Sequence, residues 1–367
     1  MPIIRDAWMP DGKSRSYRMC TTCVMDTTDP EITFDEEGRC NYCTGFDEKI
    51  RPYWKPTPEG RQELETILEK IREYGRGKQY DCIIGLSGGV DSSYVAVKVV
   101  KWGLRPLVVH VDAGWNSERA VRNIEQIVTK LGLDLITHVV DWEDMKELQL
   151  AFLRSNLANQ DIPQDHAFFA ALYSYAVKSN IRYVISGTNM ATESILPQAW
   201  GYDAMDARHL KAVHRRFGTK RLKNFPIISF FQYYFYFPRI RQMRVVAPLD
   251  YIPYNKEEAI DFLERNFGWR YYGRKHYESR WTRFYQAHYL PAKFGYDKRK
   301  AHLSSLVVAG QMTREVALRE LENPLYRDNE LAEDTAFVAK KLGLSVDELE
   351  DFIRQPPRYY DELPTNR

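Results

Sequence analysis

The sequence predicts an α/β protein built on a parallel, doubly wound sheet, with a small cysteine module before it and a mostly helical region after about residue 250. Three observations carry this. Near-continuous apolar strands alternate with helical patterns between residues 80 and 186, as in a sheet covered on both faces. A glycine turn, Leu86-Ser87-Gly88-Gly89-Val90-Asp91-Ser92-Ser93, joins the first strand to the first helix of that alternation. Upstream, four of the five cysteines form Cys20-x-x-Cys23 and Cys40-x-x-Cys43.

The elements follow in order. Pro52, Pro56 and Pro58 mark a linker after the cysteine module, and Gly60 to Tyr74 reads as a helix with Leu64, Ile67, Leu68 and Ile71 on one face. Tyr80–Leu86 reads as a strand, Asp91–Lys101 as a helix and Pro106–Val111 as a strand. Ser117–Leu131 is a helix closed by Gly132, and Leu135–Val140 is a strand. Helices follow within 143–157 and 166–179, then a strand at Arg182–Ser186. Further on, Asn255-x-x-Glu258 and Ser345-x-x-Glu348 have the form of capping boxes. The expected domains are 1–55, a linker helix at 56–78, a sheet domain at 79–250 and a helical domain at 251–367.

The glycine turn is the most informative segment. A strand-to-helix turn of this kind leaves backbone N–H groups pointing outward with the helix dipole behind them, a ready seat for phosphate or pyrophosphate. Gly88 and Gly89 permit positive φ and close approach of an anion, while Ser87, Ser92 and Ser93 add hydroxyls. It is not a Walker A loop, because no G-x-x-x-x-G-K-[ST] occurs in the chain. In a parallel sheet, ligands bind beyond the carboxyl ends of the strands. Three polar segments fall there, Ser87–Ser93, His110–Ser117 and Ser186–Glu193, and they are expected to meet in one crevice.

The cysteine spacing fits a closed structural zinc site of two knuckles. Four thiolates leave no open position for catalysis, and the polar, turn-rich segment between the pairs has little core of its own. An iron–sulfur cluster is the alternative. Cys82 lies in a strand and reads as a core residue.

A net charge of +2 gives no global field that would favour nucleic acid or a membrane surface. Met1 to Gly12 lacks the apolar core of a signal peptide, and the expected compartment is the cytoplasm. The aromatic stretch Phe225 to Ile240 is broken by Pro226, Gln232 and Pro238 and is too short to span a bilayer. It reads as a buried element or a contact between copies of the chain.

The glycine turn resembles the S-G-G-x-D-S loop of the PP-loop ATP pyrophosphatases, which cleave ATP between its α and β phosphates and adenylate a carbonyl or amide oxygen. Gly187-Thr188-Asn189 with Thr192-Glu193 resembles an element of the NAD synthetases in that superfamily. The resemblance implies that Asp91 and Glu193 hold Mg²⁺ on the phosphates and that Asp112 lies near the nucleotide.

Taken with Met19-Cys20-Thr21-Thr22-Cys23-Val24-Met25-Asp26-Thr27, Lys275-His276-Tyr277-Glu278-Ser279, Lys293-Phe294-Gly295-Tyr296-Asp297-Lys298-Arg299 and Gly310-Gln311-Met312-Thr313-Arg314-Glu315, the chain resembles the N-acetyl sugar amidotransferases of WbpG and PseA type, from bacterial surface-polysaccharide (lipopolysaccharide and O-antigen) biosynthesis. That resemblance implies conversion of an acetamido group on a UDP- or CMP-linked sugar into an acetamidino group. The cofactors implied are ATP, Mg²⁺ and Zn²⁺, and ammonia would come from a separate glutaminase subunit. Ser87, Asp91 and His276 are the candidate catalytic residues. Lys275, His276, Glu278, Ser279, Arg283, Lys298 and Arg299 are the candidate substrate residues. A tRNA-thiolating enzyme is the runner-up reading, and a non-enzymatic zinc-ribbon adapter the other.

Overall fold

The structure, a computed structural model, describes residues 15–273 and 277–366. A short helix, α1 (Asn41–Gly45), begins directly after Cys40. Helix α2 (Pro58–Tyr74) starts at Thr57, whose side chain accepts from the Gly60 amide, with proline at a position that has no donor to lose.

The sheet region then alternates as its apolar periodicity dictates. It comprises β1 (Cys82–Gly85), α3 (Val90–Lys101), β2 (Pro106–Asp112), α4 (Glu118–Leu131), β3 (Leu135–Val139), α5 (Trp142–Ser155), α6 (Ile162–Lys178) and β4 (Tyr183–Ile185). Helix α4 is capped by Ser117 and stops at Gly132, which adopts the left-handed conformation. A four-residue helix, α7 (Met190–Glu193), follows β4, then α8 (Ala207–Phe217) and β5 (Arg244–Val246). The remainder is helical: α9 (Lys256–Phe267), α10 (Arg280–Phe284), α11 (Leu290–Phe294), α12 (Lys298–Val308), α13 (Arg314–Glu322), α14 (Asp328–Leu342) and α15 (Val346–Arg354). Ser345 forms the expected capping box with Glu348, and Asn255 caps α9 through its side chain alone.

All five strands are parallel, in the order β3-β2-β1-β4-β5. The winding direction reverses between β1 and β4, which places the crevice of a doubly wound sheet over the glycine turn. Successive β1 residues feed opposite cores. Cys82 and Ile84 pack with α2, α3 and α9, whereas Ile83 packs with α5 and α6. Each fully buried apolar side chain contributes about 1.5–3 kcal/mol, so the two faces of the sheet fix the loops at its end.

The structure departs from the sequence reading in two places. The sheet has a fifth strand, β5, whose Arg244 and Val245 are exposed at the edge. The stretch Phe225 to Ile240 is only partly a buried element. It ends in a π-helical turn, Gln232–Ile240, that buries Phe237 and leaves Phe230, Phe231, Tyr234, Phe235 and Ile240 exposed. Ile252, Tyr254, Leu263, Phe267 and Trp269 share the core of β1 and α3. No helix among the described residues is long and apolar enough to cross a membrane.

Candidate active site

The glycine turn is held open by its own side chains and by distant ones. Ser87 Oγ accepts from the Gly89 amide at 3.2 Å and lies 3.2 Å from Ser92 Oγ, whose hydroxyl reaches the Gly89 carbonyl at 3.3 Å. Gly88 has φ +81°, and a Cβ there would sit 2.5 Å from the Ala120 carbonyl oxygen. The Gly88 carbonyl accepts from Trp269 Nε1 at 3.0 Å and Asn123 Nδ2 at 3.3 Å, which fixes the peptide plane. Gly89 caps α3 without a side-chain bond, and the Tyr272 hydroxyl lies against the first amide of that helix, at Val90. Gly187 packs on this turn so closely that a Cβ would lie 2.9 Å from the Ser92 amide. Ser93 is fully buried behind the loop.

Two tyrosines gather carboxylates around the turn. Tyr254 donates its hydroxyl to Asp91. Burial first, then the charges of Asp91 and Glu193, push that phenol far above its ordinary range, so it stays a donor. Tyr272 and Glu278 lie over Gly89, where a Cβ would meet the Tyr272 hydroxyl at 3.2 Å and Glu278 Oε1 at 3.3 Å. Glu193 ends α7, which Asn189 caps by accepting from the Thr192 amide at 2.9 Å. Asp250 accepts from the Met190 amide at 2.7 Å at the start of that helix. Burial, and then the Glu193 charge, raise the Asp250 carboxyl to about 6.

The turn after β2 is locked to the helical region. His110 Nδ1 faces the Leu86 carbonyl at 3.0 Å, and Nε2 accepts from Asn116 Nδ2 at 3.1 Å. Asn116 pairs antiparallel with Ser279, the Ser117 amide donates to the Glu278 carbonyl and the Arg280 amide to the Trp115 carbonyl. Glu278 and Ser279 are thereby clipped against the glycine turn.

These segments enclose one cavity of about 960 Å³. The three polar strand ends meet in it, through Ser87, Gly89, Asp91, Ser92, His110, Asn116, Gly187, Thr188 and Glu193. Glu278, Ser279 and Lys298 also line it. An apolar slot continues between α6 and the sheet, formed by Phe168, Leu172, Tyr173, Val184 and Val245. The remaining wall is mixed: Asn159, Asp161, Gln164, Asp165, Gln198 and Asp203, with Lys298 and His302 on α12, alternate with Ile195, Leu196, Tyr202 and Tyr285. Asp161 accepts from Gln164 Nε2 at 3.0 Å and Thr282 Oγ1 at 3.2 Å. Burial and the neighbouring Asp165 push its carboxyl well above the usual range, against the pull of Lys298.

The structure does not bring every expected residue to the cavity. Asp112 accepts from the Gly114 amide at 2.8 Å and Asn116 Nδ2 at 3.1 Å, shaping the turn rather than lining the cavity. Arg283 pairs with Glu330 at 2.8 Å and Asp334 at 3.3 Å. Arg299 grips Asp297 at 2.7 Å and donates to the Asn323 carbonyl at 2.6 Å. Both guanidiniums are thus committed inside the helical region. Lys275 and His276 lie outside the described residues. Sequence reasoning missed Tyr254, Tyr272, Asp250 and Asp161.

Sγ atoms of the four knuckle cysteines lie within 4.8 Å of one another, all buried. Three pairs are separated by 3.8, 3.7 and 3.6 Å. A regular tetrahedron with Zn–S bonds of about 2.3 Å has edges of about 3.8 Å, so the cluster is compatible with one zinc ion. Backbone amides of Thr22, Met25 and Cys40 point at the sulfurs, as thiolate charge requires.

A parallel sheet of this winding, with a glycine turn at its switch point, has the arrangement of the PP-loop fold. Family comparison agrees. Residues 62–227 match the NAD synthase family, and residues 278–367 match the LPS biosynthesis protein WbpG-like C-terminal domain. Together the two matches, neither of which covers half of the chain, support the WbpG-type PP-loop amidotransferase family.

Among curated proteins it is similar to glutamine-hydrolyzing GMP synthases. The one from Thermosipho africanus is 30% identical over 200 residues, covering 51% of this chain and 35% of that protein. The one from Pyrobaculum aerophilum is 29% identical over 168 residues, covering 43% and 30%. The chain thus spans about a third of the length of these relatives. Among solved structures, the NH3-dependent NAD synthetase from Campylobacter jejuni aligns over 42% of this chain and 72% of its own, at 17% identity and a TM-score of 0.30.

Proposed function

We propose that this chain is an ATP-dependent, AMP-forming amidotransferase that turns the acetamido group of a nucleotide-linked N-acetyl sugar into an acetamidino group. The observation that carries the reading is the division of the cavity. One end is a glycine turn with Asp91 and Glu193 beside it, and the other carries the amides and carboxylates Asn159, Asp161, Gln164, Asp165, Gln198 and Asp203, with Lys298 and His302 the basic groups there among the described residues. Such a wall suits hydroxyl and acetamido groups, which both donate and accept hydrogen bonds.

An amide carbon is a poor electrophile and its oxygen a poor leaving group. Attack of that oxygen on the α-phosphate, with loss of the amide N–H proton, breaks the α–β bridge and gives an O-adenylyl imidate and pyrophosphate. Ammonia then adds to the carbon, AMP leaves with the oxygen, and the amidine takes up the remaining proton. The α3 amides and Ser87 would hold the departing pyrophosphate, and Mg²⁺ on Asp91 and Glu193 would neutralise its charge. His276 remains a candidate for moving a proton during ammonia addition. Zinc would staple the knuckle, and ammonia would come from a partner glutaminase. Surface-glycan assembly on the cytoplasmic side is the matching setting.

The tRNA-thiolating alternative asks for reactive sulfur near the adenylate. Cys82 is the one cysteine outside the knuckle, and burial inside β1 drives its thiol upward and away from reactivity.

The test combines ATP, Mg²⁺ and ammonium with a panel of UDP- and CMP-linked diacetamido sugars, reading AMP and the sugar mass. AMP together with a sugar in which NH replaces one oxygen supports the proposal. AMP with every sugar unchanged rules out the acceptor class and directs the search to tRNA.

A further inference from the structure

Two adjacent serines on α12, both fully buried, reach in opposite directions. Ser304 Oγ accepts from the Val24 amide at 3.1 Å, inside the first cysteine knuckle. Ser305 Oγ accepts from the Ile195 amide at 2.9 Å, two residues after Glu193, and donates to the Ala301 carbonyl at 2.9 Å. The same helix carries Lys298 and His302 on the cavity wall.

The knuckle is fastened to this helix and its neighbour by further contacts. Val24 packs with Leu303 and Ala317. Arg314 donates to the Cys20 and Cys23 carbonyls at 3.0 Å each. Lys300 pairs with the buried Asp26. Directly, Glu31 of the cysteine module accepts from the Ala199 amide at 3.3 Å, on the cavity-wall stretch that follows Ile195.

We propose that Ser304 and Ser305 are positioning residues that make α12 a strut between the metal knuckle and the Glu193 end of the nucleotide cavity, so that metal occupancy and nucleotide binding are coupled. The argument is mechanical. A closed tetrathiolate site fixes the knuckle peptides, and without the ion nothing bonds the four sulfurs to one another. Val24 lies next to Cys23, so a shift there is passed to Ser304 and, through the rigid helix backbone, to the adjacent Ser305 and Ile195. Coupling of this sort is reciprocal: nucleotide must raise metal affinity by the factor by which metal raises nucleotide affinity.

The inference rests on the reading that the cavity binds ATP. Its test therefore uses α,β-methylene-ATP with Mg²⁺ as probe and zinc affinity as readout, measured by competition with a chromogenic chelator on the full chain. The analogue is expected to raise zinc affinity by about fivefold or more. Ser305→Ala is expected to bind both ligands but abolish most of that gain, and Ser305→Thr, which keeps the hydroxyl, to preserve it. Should Ser305→Ala not fold, Glu31→Ala, which removes the acceptor of the Ala199 amide, tests the direct tie and is expected to reduce the gain in part, full coupling in that folded variant overturning the tie. Zinc affinity that is the same with and without bound analogue overturns the proposal, as does full coupling in a folded Ser305→Ala. Failure of the parent chain to bind the analogue removes the reading beneath it.

Discussion

Tyr254 donates its hydroxyl proton to the Asp91 carboxylate from a position 163 residues further along the chain. The acceptor sits on the first turn of α3, and the donor lies just before α9, in the core that this helix shares with the sheet. Its backbone is held independently, because Gln311 Nε2 donates to the Tyr254 carbonyl at 2.6 Å. The tyrosine therefore orients the carboxylate without depending on it for its own place.

Tyr254→Phe should keep the ring packing against Tyr94 and lose one hydrogen bond to a charged group, about 1.5–3 kcal/mol. The expected result is a folded protein whose apparent Mg²⁺ affinity in nucleotide binding falls by about tenfold. Magnesium titrations of analogue binding measure it. A folded variant with the parent's magnesium dependence would remove Asp91 from the metal.

Gly88→Ala should act on the anion cradle directly. A left-handed alanine costs about 1–2 kcal/mol in itself. The added Cβ would also strike the Ala120 carbonyl oxygen at 2.5 Å, and that atom is backbone and cannot swing aside. The turn must shift, and the Gly89 amide with it. Analogue affinity should fall at least tenfold with the far-ultraviolet circular dichroism unchanged. Binding as tight as the parent's would mean that the phosphates sit elsewhere.

Asp250 gives stability a pH signature. Its carboxyl titrates near 6 in the folded chain against 3.8 as the ordinary value. The folded state therefore holds the proton over a range in which the unfolded state has lost it, and stability falls as pH rises from about 4 to about 6. Asp29, raised to about 6, and the raised Asp161 and Glu31 act in the same direction. Asp250→Asn should remove that residue's own downward contribution between pH 4 and 6, so that the variant's stability falls less, or rises more, with pH than the parent's, and should still accept from the Met190 amide. Urea midpoints at pH 4, 5, 6 and 7 would show it, and an unaltered slope would contradict it.

The fold was legible where periodicity is strong. Strands β1 and β2 are buried on both faces and read as continuous apolar runs, and Gly132 announced the end of α4. Strand β5 was not legible: it is three residues long, and two of them, Arg244 and Val245, face water. At the site, the glycine turn is a local pattern and could be read from the chain alone. Tyr254 and Tyr272 could not, because each is one of 24 tyrosines and acquires its role through contacts across more than 160 residues. Arg299 shows the opposite case. Its residue type suits phosphate, but Asp297, two positions away, and the carbonyls at the end of α13 already occupy its guanidinium.

All five cysteines are buried, four in the knuckle and Cys82 in β1. The native surface thus offers nothing for a thiol-alkylating reagent to find. Modification of Cys82 would time the opening of the central strand, while modification of the other four would time the release of the knuckle. One cysteine introduced on the outer face of any helix would be the sole fast-reacting position, available for a fluorophore or spin label without first removing a native residue.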